Sequence, residues 1–195
     1  MIQSPSKRQY KAAQTWLRWP NYLVTYLDNP KTIIDVGANI GYSSIFFARN
    51  YPDTTIHAIE PVKDNFSYLL LNVAEYDNIV AYRMALGAIR GTLTLSMPDP
   101  DKNLGKMSAY GIGIRAETVT MYPMDELAVK DVDFIKMDVE GYELEVLKGA
   151  TNILNKYAPL IQMEVNDDAE EYLFSIGYEY ITRRKGDHFY VKSGT

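Results

Sequence analysis

Apolar residues recur along this chain in two rhythms, one of period two or continuous and one of period near 3.6. Thr32-Ile33-Ile34-Asp35-Val36 is a β-branched run that reads as a buried strand. Tyr42 to Asn50 is apolar enough for a covered helix, and Thr55 to Ile59 reads as a second strand. Phe66, Leu69, Leu70 and Val73 fall at i, i+3, i+4 and i+7, the spacing of a helix with one core-facing stripe. Asn78 to Tyr82, Val132 to Met137 and Leu160 to Val165 supply three further strands. Tyr142 to Leu154 is expected as one helix with Leu144, Leu147 and Leu154 inward. Ala169, Tyr172, Leu173 and Ile176 match the helical template again, with Gly177 as the stop. Tyr178 to Thr182 and Phe189 to Lys192 close the chain as strands around a turn at Lys185-Gly186-Asp187.

Strands alternating with helices predict an α/β fold, a mostly parallel seven-stranded sheet with helices on both faces. The closing strand pair adds an antiparallel terminal strand at its edge. The middle breaks this rhythm. Thr92 to Met97 alternates, Pro98-Asp99-Pro100-Asp101 signals a turn, and the stretch to Ile114 has no clean period. Residues 92–122 are therefore expected as an inserted hairpin or long loop, returned to the sheet by Glu117 to Tyr122; a loop of that length inside a compact domain is usually functional. Upstream, residues 5–19 read as an amphipathic helix with Tyr10, Ala13, Trp16 and Leu17 on one stripe. The expected division is a helical segment over 1–30 packed on a single domain over 31–195.

Composition narrows the partners. The 195 residues are 47% apolar, enough for one domain with a real core. A net charge of −5 speaks against a nucleic-acid partner, and the basic group Lys7, Arg8, Lys11 and Arg18 reads as a solvated helix face. No apolar run approaches the roughly 18–20 residues of a membrane span, and Met1-Ile2-Gln3-Ser4-Pro5 lacks a secretory start. The absence of cysteine removes thiolate chemistry and fits a cytoplasmic location. His57 reads as structural, and neither it nor His188 is expected to be catalytic.

The chemistry concentrates at strand ends. Asp35-Val36-Gly37-Ala38-Asn39-Ile40-Gly41 runs from a strand through a glycine turn towards a helix, which lets backbone approach a ligand closely. Its G-x-x-x-G spacing meets neither the dinucleotide fingerprint nor the P-loop. Glu60 ends the second strand about twenty residues on, where a carboxylate can accept from both hydroxyls of an adenosine ribose. Asp138 and Glu140 follow the fourth strand, Glu164 and Asn166 the fifth. A carboxylate there can take a proton from an acceptor, or Asp138 or Glu140 can simply cap the next helix.

Asp35 to Gly41, Ile59-Glu60-Pro61, Ala85-Leu86-Gly87 and the long run from Asp133 to Ala150 resemble the FkbM family of methyltransferases, over roughly residues 32–166. The resemblance implies a Rossmann-like class I methyltransferase fold, S-adenosylmethionine as methyl donor, and a hydroxyl of a sugar, glycan or other small molecule as acceptor. It implies that Asp35, Gly37, Ala38, Asn39 and Gly41 surround the methionine part of the cofactor. Glu60 and Pro61 would hold the ribose, Met84 and Ala85 would lie near the adenine, and Glu140 would face the same crevice. Asp138 is the first candidate base and Glu164 the second. No metal is expected; the alternative is a divalent cation, magnesium or calcium, shared by Asp138, Glu164 and Asn166. Acceptor recognition would fall to the N-terminal helix, the 98–114 loop with Lys102 and Lys106, and the helix after Glu164. The rival readings are an NAD-dependent oxidoreductase on a similar sheet and a non-catalytic nucleoside-binding module.

Overall fold

The computed structural model describes Gln3 and residues 27–97, 115–184 and 186–194. The expected N-terminal helix, the 98–114 loop with Lys102 and Lys106, and Lys185 lie outside the described residues.

Seven strands form one sheet in the order β3-β2-β1-β7-β8-β10-β9. They are β1 (Thr32–Val36), β2 (Thr55–Ile59), β3 (Ile79–Tyr82), β7 (Val132–Met137), β8 (Leu160–Glu164), β9 (Tyr178–Arg184) and β10 (Asp187–Lys192). The first five run parallel, and β10 lies antiparallel between β8 and β9. As expected, the closing pair forms one edge of the sheet and the last strand of the chain, β10, is the antiparallel one, folded back between β8 and the outer β9.

Parity along each strand sorts the core. On β1, Ile33 faces one side and Ile34 the other. The Ile33 side packs Phe134, Leu160 and Phe189 against Phe46 and Phe47 of α1 (Tyr42–Asn50), and α2 (Lys63–Val73) covers the neighbouring strands. The Ile34 side packs Ile135, Ile161 and Tyr190 against α3 (Glu143–Lys148), α4 (Thr151–Tyr157) and α5 (Asp167–Ser175). Both faces are covered, so the parallel strands are apolar on both sides as such sheets require.

Three local expectations need correction. The apolar stripe of α2 is narrower than its spacing implied: Leu69 and Val73 are buried, whereas Leu70 is exposed. The helix expected over Tyr142 to Leu154 is two helices, broken at Gly149 and Ala150. At the break the backbone of Gly149 lies so close to that of Gly87 that a Cβ there would stand 2.0 Å from the Gly87 carbonyl oxygen. Finally, the 92–122 insertion does not rejoin the main sheet. β5 (Gly91–Met97) and β6 (Arg115–Tyr122) pair as an antiparallel hairpin, and β4 (Ala85–Leu86) adds to β6 in parallel, forming a separate three-stranded sheet. Among the described residues no helix is long and apolar enough to cross a membrane.

Gly149→Ala drives a methyl group into backbone that cannot swing aside. It should lower stability by about 1–3 kcal/mol through overpacking, read as a lower urea midpoint at unchanged slope; an unchanged midpoint would refute the contact.

Candidate active site

The carboxyl ends of β1, β2 and β7 open into a cleft of roughly 770 Å³, part of it open to solvent. Its floor is the glycine turn after β1. Gly37 and Ala38 donate backbone N–H to the Ile59 carbonyl at 3.0 and 2.9 Å, and Gly41 donates to Ala38 at 2.8 Å. Gly37 has φ +75°, and a Cβ there would meet the Asp138 carbonyl oxygen at 2.0 Å. Only glycine lets the β1 turn and the β7 end come this close. Asn39 and Glu140 also adopt left-handed backbone, φ 52° each, and both line the cleft. Non-glycine residues held there cost of order 1–3 kcal/mol each, and such strain gathers where a site requires a shape.

Beneath the turn lies a buried ion pair. The Lys136 ammonium, 3% exposed, sits 3.2 Å from Asp35 Oδ1, a contact outside hydrogen-bond geometry, and 3.8 Å from Asp138 Oδ2. It also donates to the Gly37 carbonyl at 3.2 Å. Asp35 Oδ2 accepts from the hydroxyls of Ser43 and Ser44, in the first turn of α1, at 2.5 and 2.6 Å. Burial alone would lower the Lys136 pKa, but the carboxylates of Asp35 and Asp138 outweigh it and hold the ammonium above its ordinary value. Sequence reasoning passed over Lys136; the available signal was a lysine inside an apolar strand, which needs a partner.

Glu60 ends β2 and is 4% exposed. Its Oε2 accepts from the Asn39 N–H at 2.9 Å, and its Oε1 from the Val62 N–H at 2.9 Å and the Asn65 amide at 3.3 Å. Burial lifts its pKa to about 7, against the pull of those donors and of Lys136. The carboxylate is therefore fixed in direction at the cleft wall, and Oε2, which accepts one of these bonds, keeps a lone pair for a further donor.

The far wall comes from the small sheet. Leu93 and Leu95 of β5, with Met84, Ala85 and Leu86, give the cleft an apolar side opposite Glu60. The small sheet is tied to the main one by Glu117, whose carboxylate takes the Lys63 N–H at 3.1 Å and pairs with Arg83 at 2.8 Å. A carboxylate there satisfies an orphan donor at the start of α2.

Of the residues expected around the cofactor, Gly37, Asn39, Glu60, Pro61, Met84, Ala85 and Glu140 line this cleft together with Asp138. Asp35, Ala38 and Gly41 lie behind the lining, where they shape the turn. Glu164 is exposed at the end of β8, outside the lining. The Asn166 side chain caps α5 by accepting from Ala169 at 3.1 Å and donates to Glu143 Oε2 at 2.8 Å. Neither Asp138 nor Glu140 caps α3: its N-cap residue is Tyr142, without a side-chain cap. His57 is half of a structural pair, its Nδ1 3.0 Å from the Tyr82 hydroxyl. Among the described residues no group of three His, Cys, Asp or Glu is placed to hold a metal ion.

Comparison with known proteins places this geometry in context. A family model described as the methyltransferase FkbM domain matches residues 35–187. The methyltransferase sdnD of Sordaria araneosa is 29% identical over 164 residues, covering 66% of this chain and 63% of the relative. The hexuronic acid methyltransferase AglP of Haloferax volcanii is 33% identical over 127 residues, covering 62% of this chain and 50% of the relative. The chain thus spans about half to three fifths of the length of these relatives. Among solved structures, a methyltransferase FkbM from Methylobacillus flagellatus KT superimposes with a TM-score of 0.68 at 19% identity, over 90% of this chain and 47% of that one. A precorrin-6y C5,15-methyltransferase from Geobacter metallireducens GS-15 gives a TM-score of 0.52 at 16% identity, over 97% and 90%. At these identities the superpositions establish a shared fold.

The ion pair beneath the turn yields a sharp expectation. Lys136→Met or Asp35→Asn alone leaves an unmatched buried group and should cost about 3–5 kcal/mol of stability. The double variant should cost clearly less than the sum of the two, measured as a coupling energy in a denaturation cycle. Strict additivity would mean that the two groups do not interact.

Proposed function

This chain belongs to the FkbM methyltransferase family, and from that premise and the cleft we infer that it transfers a methyl group from S-adenosylmethionine to a hydroxyl oxygen of a sugar, glycan or other small molecule. The observation that carries this reading is Glu60, a buried carboxylate aimed by two backbone N–H groups into a cleft whose opposite wall is apolar. A nucleoside matches that division: ribose hydroxyls donate to the carboxylate, and the base rests on Met84, Ala85, Leu93 and Leu95. Gly37 and Asn39 offer close backbone to the amino-acid end, with Glu140 beside them. S-adenosylmethionine, when bound, supplies a methyl carbon already activated by its sulfonium.

The chain's own work is then to place the acceptor and help remove its proton. Asp138 lines the cleft with its side chain 41% exposed, which suits a carboxylate that orients the acceptor hydroxyl. AglP, named as a hexuronic acid methyltransferase, supports a sugar among acceptor classes. A cytoplasmic location and a single methyltransferase domain over residues 31–195, with a helical segment over 1–30 packed on it, complete this reading. Isothermal titration with S-adenosylmethionine, followed by a turnover screen across hydroxylated sugars and small molecules, tests it; a folded chain that binds no S-adenosylmethionine refutes it.

Glu60→Ala should weaken that binding by about 1.5–3 kcal/mol, the value of charged hydrogen bonds. The pH dependence follows from the same group. Its folded pKa, about 7, stands above the unfolded value, so the folded chain holds the proton more tightly and loses stability as pH rises from about 4.5 to 7. Ribose hydroxyls favour the ionised form, so binding must expel that proton below pH 7. Affinity should fall about tenfold per pH unit below 7 and level off above it. Glu60→Gln should bind weakly with no such slope; a wild-type affinity flat between pH 5.5 and 8 would overturn the assignment.

A further inference from the structure

The α1 face of the sheet is layered towards its carboxyl end. Ile33, Phe134 and Leu160 form an apolar row. Asp35, Lys136 and Gln162 stand next in register across β1, β7 and β8, with Phe189 of β10 opposite Gln162. One step further, Asp138 follows the end of β7, Glu164 ends β8 and Asp187 begins β10 opposite Glu164. The cofactor cleft accounts for Asp138 but leaves Gln162 and Asp187 without a role.

Gln162 is 1% exposed, and its Nε2 donates to Asp187 Oδ2 at 2.6 Å. Its Oε1 is buried with no hydrogen-bond partner among the described residues. Buried orphan acceptors are rare and call for an explanation. A primary amide facing a carboxyl group makes a second bond when the carboxyl is protonated, because O–H then donates to the amide oxygen. A proton on Asp187 is therefore the partner that Gln162 lacks.

We propose that Asp187, held by Gln162, is the residue that receives the proton of the methyl acceptor. This rests on the methyltransferase reading above. The acceptor's O–H proton passes to a carboxylate oxygen of Asp187, the acceptor oxygen forms the new O–C bond, and the electron pair of the broken C–S bond stays on sulfur. Asp187 then returns its proton to solvent. The groups around it are Lys136 on β7, Asp138 just beyond that strand, its register partner Glu164 on β8, and the adjacent His188. Burial raises its pKa and Asp138 adds to the rise, while the Gln162 N–H, Lys136 and His188 pull it down; the net direction is upward. A carboxylate of raised pKa takes up a proton more readily than a solvated one.

Asp187→Asn separates this role from a purely structural one. An asparagine amide accepts from Gln162 Nε2 and donates to Oε1 at every pH, as protonated Asp187 would. At pH 7.5 the full-length variant should melt a few degrees above wild type, about 2–5 °C. The gain should shrink as pH is lowered towards the ordinary carboxylate value of 3.8, because a group whose folded pKa is raised loses stability only as pH rises from its ordinary value towards the raised one. Binding of S-adenosylhomocysteine should stay within twofold, while turnover on any hydroxyl acceptor that wild type methylates should fall about 10²–10⁴-fold. A melting temperature lowered at pH 7.5, a gain that stays constant down to the ordinary carboxylate value, or retained turnover would each overturn the proposal. The melting comparison needs no acceptor, so it stands apart from the screen; wild type failing to bind S-adenosylmethionine would instead refute the methyltransferase reading.

Discussion

One buried contact sets the geometry of the rest: the Lys136 ammonium held between Asp35, Asp138 and the Gly37 carbonyl. Removing an ammonium from water costs several kcal/mol, which only well-placed counter-charges and acceptors offset. Here the compensation comes from the ends of two neighbouring strands and the turn between β1 and α1. The lysine thus welds the first turn to the fourth parallel strand. The two serines of α1 complete the arrangement by fixing Asp35 Oδ2, so the helix start, the turn and the β7 end move as one body. A site that binds a charged ligand through backbone N–H and C=O groups benefits from such rigidity, because preorganised dipoles need no rearrangement on binding.

Rigidity on one side of the cleft meets a different construction on the other. The apolar wall belongs to the small sheet of β4, β5 and β6, which shares no strand with the main sheet. Glu117 secures it through the first N–H of α2 and through Arg83. That carboxylate sits at a helix N-terminus, where unpaired N–H groups and the helix dipole both favour negative charge. The cleft therefore lies between a wall set by main-sheet register and a wall carried by the small sheet, which this clamp and the packing of Val62 on Val119 and Met121 hold in place.

The legibility of the sequence divides along the same line. Strands β1, β2, β3, β7 and β8 were readable because runs such as Thr32 to Val36 are apolar on both faces, a pattern that burial in a parallel sheet demands. Glu60 and the Gly37 turn were readable because strand-end chemistry has a fixed place in this fold class. The small sheet was hidden, since alternation in Thr92 to Met97 says that a strand exists but not which neighbour it pairs with. The reason for a glycine at 149 was equally invisible: it is the carbonyl of Gly87, sixty-two positions away and unrelated to helical periodicity. Gln162 and Asp187 gave no signal because they meet only after β10 folds back beside β8.

That fold-back also explains how one sheet face serves both stability and chemistry. On β7 the inward positions read Phe134, Lys136, Asp138, and on β8 Leu160, Gln162, Glu164, each passing from apolar to ionisable along the chain. On β10 the order is reversed, with Asp187 first and Phe189 second. Because β10 runs antiparallel, both orders deliver the same spatial gradient, dry at the foot of the sheet and acidic at its carboxyl end. A gradient kept through a reversal of chain direction follows position in space and not position in sequence. It is what the energetics require, since carboxylates are tolerable where solvent and a ligand can reach them and ruinous one layer deeper without a partner such as Lys136. The intermediate layer of Asp35, Lys136 and Gln162 is the transition zone, and its incomplete satisfaction at Gln162 Oε1 is where the proton-handling capacity of the upper layer begins.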